Sequence, residues 1–426
     1  MLFRCFVAVG LALAHTAYAA ELDRAITLQQ AISIALERNH DLQLAATALT
    51  IARANLLSAD SAPNPTLAVS TGSIQLSGAG RGGALWRKEI DTIVGVNQLL
   101  ERGGKRALRA ESARFRVNAA AQDLGDVRRQ LRLMVAQAYT DLHAAQDRVL
   151  ASQDGARLLD AALLATQLRR EAGDIAGADV ERVRVEALRA RNDVNTAQAD
   201  QRRAQQLLAF LLADPDSAGA LRAADDWPSP DDITLPDLTA MLSMIDRRAD
   251  VRAAIARIDS ALAGAKLAES LRTRDVSVGL QYEHYPQPGS NPNGNSVGFS
   301  VQVPLFTRYY YEGEISASLA TLDAARIQHD RVRAAAETEI NSAALALISA
   351  TERLRRYRDE LLRSAENAAR AAEYAYKNGA VGVIDLIDAR RTLRATRLDG
   401  LNAQADFSKA LASWQAATET TEEESK

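Results

Sequence analysis

The sequence predicts a mainly α-helical chain with four β-strands, built as two structural repeats, and three observations predict it. The chain repeats itself at about half its length. Asp41-Leu42 lines up with Asp250-Val251, and at the same spacing of 209 residues Ala52, Ala54, Leu67 and Val69 meet Ala261, Ala263, Val276 and Val278. Further on, Gly173, Asp179 and Val180 meet Gly379, Asp385 and Leu386 at a slightly shorter spacing. The second observation is strand periodicity, twice in each half. The third is sustained 3-4 spacing of apolar residues through long alanine-rich runs, the signature of coiled-coil packing. Duplicated strand-plus-helix units are the pattern of a conduit or scaffold rather than of an enzyme.

Residues 1–20 carry one early charge (Arg4), an apolar run from Phe6 to Ala14, and Ala17-Tyr18-Ala19 before a small residue. We read this as a secretory signal, too short to span a bilayer and cleaved after Ala19 or Ala20. The single cysteine, Cys5, lies inside it, so the mature chain is expected to hold no disulfide and no lipid-anchor cysteine. Removing the signal takes one arginine and no acid, moving the formal charge from −3 to −4, which argues against a nucleic-acid partner. No later stretch approaches eighteen apolar residues. If the mature chain enters a membrane it must do so as a β-barrel, because only helices and closed barrels satisfy their backbone in lipid.

Residues 27–61 read as one helix capped by Thr27, with Ile32, Leu36, Leu42 and Leu49 among its apolar positions, stopped by Pro63-Asn64-Pro65. Leu67, Val69 and Thr71 then alternate with small residues, Ile74 and Leu76 sharing their face. After a glycine-rich loop (78–83), Ile90, Thr92, Val94 and Val96 alternate with Asp91, Ile93, Gly95 and Asn97. In the second half Val276, Val278, Leu280 and Tyr282 lead through a Pro/Gly/Asn turn (286–295) to Val297, Phe299, Val301 and Val303. Strands of about ten residues suit a tilted membrane strand, and equally a half-buried soluble sheet.

The helical runs weigh toward the elongated reading. Leu124, Val127, Leu131, Met134 and Ala138 form one seam; Val180, Val183, Ala187, Ala190, Val194 and Ala197 a second; Ala336, Ile340, Ala343, Leu347, Ala350, Leu354, Tyr357 and Leu361 a third. Residues 105–171 contain no proline, and as one helix they would reach about 100 Å, comparable to a periplasmic crossing. The predicted organisation is a signal (1–20), a first repeat (21–213), a proline-rich connector (214–236), a second repeat (237–417) and an acidic, disordered tail (418–426).

This order of elements resembles the TolC-type outer-membrane factor family over essentially the whole mature chain. The run Gln98-Leu99-Leu100-Glu101-Arg102-Gly103-Gly104-Lys105-Arg106 is similar to a junction common in its CzcC-like heavy-metal cation branch. The resemblance implies a homotrimer in the outer membrane of a Gram-negative bacterium. Each protomer would donate four strands to a twelve-stranded barrel continuous with a coiled-coil tunnel in the periplasm. It further implies a periplasmic adaptor and an inner-membrane pump of the resistance-nodulation-division type as partners, no cofactor, and a passive conduit rather than an enzyme. Divalent heavy-metal cations are the expected cargo; organic drugs are the alternative. A soluble periplasmic adaptor is the competing class, and it leaves the four strands unexplained. At the junction we expect Gly103 and Gly104 to let the chain turn, with Lys105 and Arg106 anchoring near the headgroups. Tyr309-Tyr310-Tyr311 stand where the second half lacks those glycines, and are read as part of an aromatic belt.

The family's closing gate carries over onto Tyr376, Gly379, Asp385 and Asp388 of the second hairpin and Asp179, after Gly173, of the first. The arginine that helps lock the family's gate is Val381 here, so a lock through Asp179 would rest on Tyr376 or another partner. Taken alone, Asp385 and Asp388 admit two readings. Their spacing puts them on one helix face, where a threefold assembly would stack two carboxylate rings favouring cations. They would also serve as first-turn acids of a helix beginning near Gly382, stabilised by its dipole.

No metal or catalytic constellation stands out. His40, His143, His284 and His329 lack ligand spacing and are read as surface or packing residues. Gly78–Gly83 lacks a P-loop lysine and a following helix.

Overall fold

The computed structural model describes residues 24–72, 91–231, 233, 237–243, 245–285 and 294–420. The signal, the glycine-rich loop, Ile74, Leu76, Ile90, most of the 286–295 turn and most of the acidic tail lie outside them. The chain divides into two compact units, and neither is a contiguous half. One draws on Met1–Ala45, Gly125–Arg248 and Ala334–Lys426; the other on Ala46–Leu124 and Ala249–Arg333.

The first unit is helical apart from one small sheet. Thr27 opens α1 (Leu28–Arg38) with a reciprocal cap, its hydroxyl accepting from the Gln30 amide while Gln30 accepts from the Thr27 amide. The single helix expected over 27–61 is broken at buried Asn39, whose backbone turns extended. The Asn39 side chain explains the break: Oδ1 accepts from the amides of Asp41 and Leu42, starting α2 (His40–Ala59), while Nδ2 donates to the Leu211 carbonyl. Strand β1 (Arg24–Ile26) pairs in parallel with β4 (Leu221–Ala223), so the 214–236 connector contains a strand that periodicity does not reveal. Trp227 in that connector stacks on His143 at 4.1 Å and donates to Asp147, which gives His143 the packing role expected of it.

Helix α3 runs uninterrupted over Lys105–Glu171, and α4 over Gly177–Leu211. The later run comprises α7 (Glu312–Arg356), a π turn over Tyr357–Leu361, α8 (Leu362–Lys377) and α9 (Val383–Thr418). Most seam residues are buried as spaced: Leu131, Ala138, Val180, Val183, Ala187, Ala190, Ile340 and Leu347. Two corrections concern register. Met134 is exposed and Val135 is buried instead, and the π turn ends the third seam early, leaving Leu361 exposed. One extra residue per π turn rotates every following side chain by about 100°.

A buried ionic knot holds this unit. The Arg248 side chain, 1% exposed, and Arg129, 7%, both reach the Glu339 carboxylate, at 2.7 and 2.9 Å. They also donate to the Ala417 and Ala416 carbonyls at the end of α9, where the helix dipole favours positive charge. Burial pushes the Glu339 carboxyl up. The Arg248 hydrogen bond and the Arg129 charge outweigh it and hold the group below its ordinary value.

The short helix α5 (Leu238–Leu242) belongs to the first unit; the second is built from most of α2, α6 (Ala249–Ser270), the starts of α3 and α7, and a four-stranded sheet. Its strands β2 (Thr66–Gly72), β3 (Asp91–Leu100), β5 (Val276–Tyr285) and β6 (Gly294–Gln302) follow that order and are antiparallel throughout. Register aligns two rows across all four strands, Leu67-Val96-Leu280-Phe299 and Val69-Val94-Tyr282-Val297. Every one of these side chains is exposed, from 39% at Val94 to 73% at Val297. The opposite face carries Gly95, Gln281, Gly298 and Gly279, and a Cβ at Gly279 would lie 2.2 Å from Asn97 Oδ1. Small residues on that face let polar side chains lie flat against the sheet.

Candidate functional site

Two places gather the residues singled out above, one in each unit. The first is formed by the hairpin turns. Helix α3 ends at Gly173 (φ +84°) and α8 ends before Gly379 (φ +74°), both in the left-handed region. Each end closes in the same way: Asp174 N donates to the Arg169 carbonyl at 2.9 Å, and Ala380 N to the Ala375 carbonyl at 2.8 Å.

Asp179 and Asp385 both stand three residues past the cap of the next helix. Their bonding differs. Asp385 Oδ2 reaches back to accept from the Gly382 amide at 3.1 Å, so it serves as a first-turn acid. Asp179 instead faces Arg182 at 3.4 Å. Asp388 is exposed and faces Arg391 at 3.4 Å, while Arg391 also holds Glu186 of α4 at 2.8 Å. In a single chain the two α9 carboxylates are therefore partly engaged.

Tyr376 does not reach Asp179. It packs among Val183, Val383 and Ile387, beside Ala162 and Leu163, with the Arg169 guanidinium 5.2 Å from its ring centre. Its hydroxyl is buried without a hydrogen-bond partner. The lock imagined between Tyr376 and Asp179 is thus not made within the chain. Charged contacts join these helices. Four arginines of α9 are divided between neighbours: Arg390 and Arg397 pair with Glu373 and Glu366 of α8, and Arg391 and Arg394 with Glu186 and Asp193 of α4. The Glu373 carboxyl is held below its usual range by Lys377 and then Arg390. Sequence reasoning passed over this ladder because isolated arginines on a helix read as a solvated face.

The second place is the strand-to-helix junction. Gly103 and Gly104 both have φ +72°, and a Cβ on Gly103 would lie 2.8 Å from Thr273 Cβ. Both glycines take the left-handed conformation between β3 and α3. Lys105 is a correction: it is buried, and its ammonium donates to the Thr273 carbonyl at 2.7 Å and to Asp275 at 2.8 Å. It ties the start of α3 to the start of β5 and has no reach toward solvent. Arg106 is exposed and pairs with Asp60 at 3.3 Å. Asp275, which also accepts from the Arg102 amide, was missed; its position one residue before a strand was the available signal. In the second half Tyr311 takes up φ +64° without being glycine, and Phe306 packs edge-on against Tyr310 and Tyr311.

Among the described residues no helix is long and apolar enough to cross a membrane, and no group of three or more His, Cys, Asp or Glu is placed to hold a metal ion.

Comparison with known proteins adds to this geometry. A family described as "Outer membrane efflux protein" matches residues 31–214 and 242–418. The cobalt-zinc-cadmium resistance protein CzcC of Cupriavidus metallidurans is 26% identical over 376 residues, which is 88% of this chain and 85% of that protein. Among solved structures, CusC superposes with a TM-score of 0.79 at 19% identity, over 93% of this chain and 92% of its own. VceC of Vibrio cholerae, an outer membrane protein, gives 0.76 at 19% identity, over 92% and 96%. These structural likenesses concern the fold.

Proposed function

Because the chain belongs to the outer membrane efflux protein family, we propose that it is the outer-membrane exit duct of a tripartite efflux system, working as a homotrimer and carrying divalent heavy-metal cations. The observation that carries this reading is the pair of exposed apolar rows across a sheet, in a chain whose described helices cannot span a bilayer. In water such a face is a liability; against lipid it is the required surface. The outer strands β2 and β6 each pair on one side only. Three copies would join these edges into twelve strands, which removes every free edge.

On this reading the chain is two repeats, 21–213 and 237–417, joined by the 214–236 connector and preceded by a cleaved signal at 1–20. Asp179, Asp385 and Asp388 would ring the narrow end, with Tyr376 behind them, and closure would rest on the α9 arginine ladder. The duct itself does no chemistry. A periplasmic adaptor and an inner-membrane resistance-nodulation-division pump would supply selection and energy. CzcC, by its name a cobalt-zinc-cadmium resistance protein, supports metal cargo, as do acids exposed at the tip.

A deletion strain and its complemented parent, grown across cobalt, zinc, cadmium, nickel, copper, silver, drugs and dyes, test the cargo. Sensitisation confined to metals and restored by the gene is expected. Sensitisation confined to organic compounds overturns the metal assignment and leaves a drug-efflux duct. Release of the protein from membranes by alkaline washing, without detergent, would overturn the barrel and favour a soluble adaptor.

A further inference from the structure

We propose that Arg102, Arg272, Arg274 and Arg308, at the helix-bearing end of the sheet, form a binding surface for the headgroups of anionic phospholipids. This rests on the membrane-barrel reading above.

The first argument is register. On β3 the apolar face runs Val94, Val96, Gln98, Leu100, and the next residue of that parity is Arg102. On β5 it runs Leu280, Val278, Val276, and the residue two before Val276 is Arg274. Leu100 pairs with Val276, and Arg102 and Arg274 each lie two residues beyond that last pair. The Arg102 amide donates to Asp275 Oδ1 at 2.9 Å, which holds the two segments together there. Both apolar faces therefore end in arginine at one level, the depth at which a bilayer changes from hydrocarbon to phosphate.

The second argument is the state of the charges. All four arginines are exposed. Their neighbours are neutralised within the chain: Lys105 by Asp275, Arg106 by Asp60, Arg109 by Glu101. Of the two acids that open α7, Glu312 accepts from the Tyr310 amide and also feels the Arg272 charge, and Glu314 accepts from the Tyr309 hydroxyl. Among the described residues the four arginines make no ion pair of this kind. Arg274 lies over the Phe306 ring at 5.2 Å, and Arg272 Nε donates to the Tyr310 carbonyl at 3.3 Å. Both contacts orient a guanidinium without closing it into an ion pair.

The third argument is chemical fit. A guanidinium fork matches two phosphate oxygens, and aromatic rings settle at headgroup level. Phe306, Tyr309 and Tyr310 bracket Arg308 in the sequence, and Tyr309 and Tyr310 are about half exposed. An anionic lipid phosphate meets both requirements, whereas an acidic protein would have to approach through the headgroup layer.

The test uses the full protein purified in zwitterionic detergent. Short-chain phosphatidylglycerol, phosphatidylcholine and inorganic phosphate are titrated separately, and retained lipid is counted by native mass spectrometry alongside the melting temperature. Phosphatidylglycerol should be retained at least tenfold more tightly than phosphatidylcholine, on the basis of about fivefold per arginine near an anionic surface. Raising salt should erase the preference. The R102Q/R272Q/R274Q/R308Q variant should lose it, while R331Q, at an exposed helical arginine, should keep it. Equal retention of the two lipids, or an unchanged preference in the quadruple variant, overturns the proposal. So does equal stabilisation by inorganic phosphate, which would indicate a free-anion site. If the quadruple variant fails to fold, the salt dependence of the unmodified protein decides. Normal membrane insertion without phosphatidylglycerol preference sinks this inference alone; failure to insert sinks the barrel with it.

Discussion

The helical seams and the sheet rows are built from the same kinds of residue and meet opposite fates. Val180, Val183 and Leu347 are wholly buried, whereas Leu67, Leu280 and Phe299 are 60–72% exposed. A helix satisfies its own backbone and needs only neighbouring stripes, which α4 and α7 find on α9. A four-stranded sheet leaves two edges and a face unserved unless something outside the chain covers them. The difference teaches where the chain is self-sufficient and where it depends on its surroundings.

Six substitutions at five positions sharpen or break that contrast. The largest effect belongs to the helical unit: Glu339→Ala removes the carboxylate that buried Arg248 and Arg129 share, leaving Arg129 to Asp126, and should destabilise by about 3 kcal/mol in chemical denaturation. Because the folded Glu339 carboxyl lies below its ordinary value of 4.5, its stabilisation is present above that value and fades as pH falls through the lower, folded one. The gap between the original chain and the conservative Glu339→Gln should therefore be level above about pH 5 and shrink below about pH 4. A gap that widened on acidification would contradict the assignment.

Val96→Arg separates the two readings of the sheet. Facing lipid, it should cost roughly 2–4 kcal/mol and deplete folded protein in the outer membrane. On a water-exposed sheet the same change should stay within about 0.5 kcal/mol.

The paired glycines give a finer comparison, read by thermal melting. Gly103→Ala and Gly104→Ala each force alanine into the left-handed region, at about 1–2 kcal/mol. Only Gly103 also meets Thr273, so its variant should be the less stable of the two. Equal losses would show that Thr273 moves aside freely.

Tyr376→Phe is expected to be the smallest, within about 0.5 kcal/mol and without change in channel conductance. Its hydroxyl has no partner to lose. A large loss of stability or a leaky channel would reveal a bond made only between protomers.

Much of this was legible residue by residue. The strands, their alternation, the Thr27 cap and Asp385 as a first-turn acid all follow from local periodicity and backbone sterics. Those signals act over a few residues, so one chain displays them. The break at Asn39, the π turn at Tyr357–Leu361, the β1–β4 pairing and the burial of Lys105 were not legible. Three of these have a partner distant in sequence: the Leu211 carbonyl for Asn39, Leu221–Ala223 for β1, Asp275 for Lys105. Met134 shows the same limit, since a 3-4 pattern admits Val135 equally well and packing chooses.

Sequence by itself therefore determined the kinds of element and the face each strand presents, because side-chain alternation is a property of the local backbone. Tertiary structure alone decided which charges are spent and which remain free. Lys105 and Arg102 stand three residues apart, one buried against Asp275 and the other exposed. Whether a charge is neutralised depends on where a carboxylate from another part of the chain comes to rest.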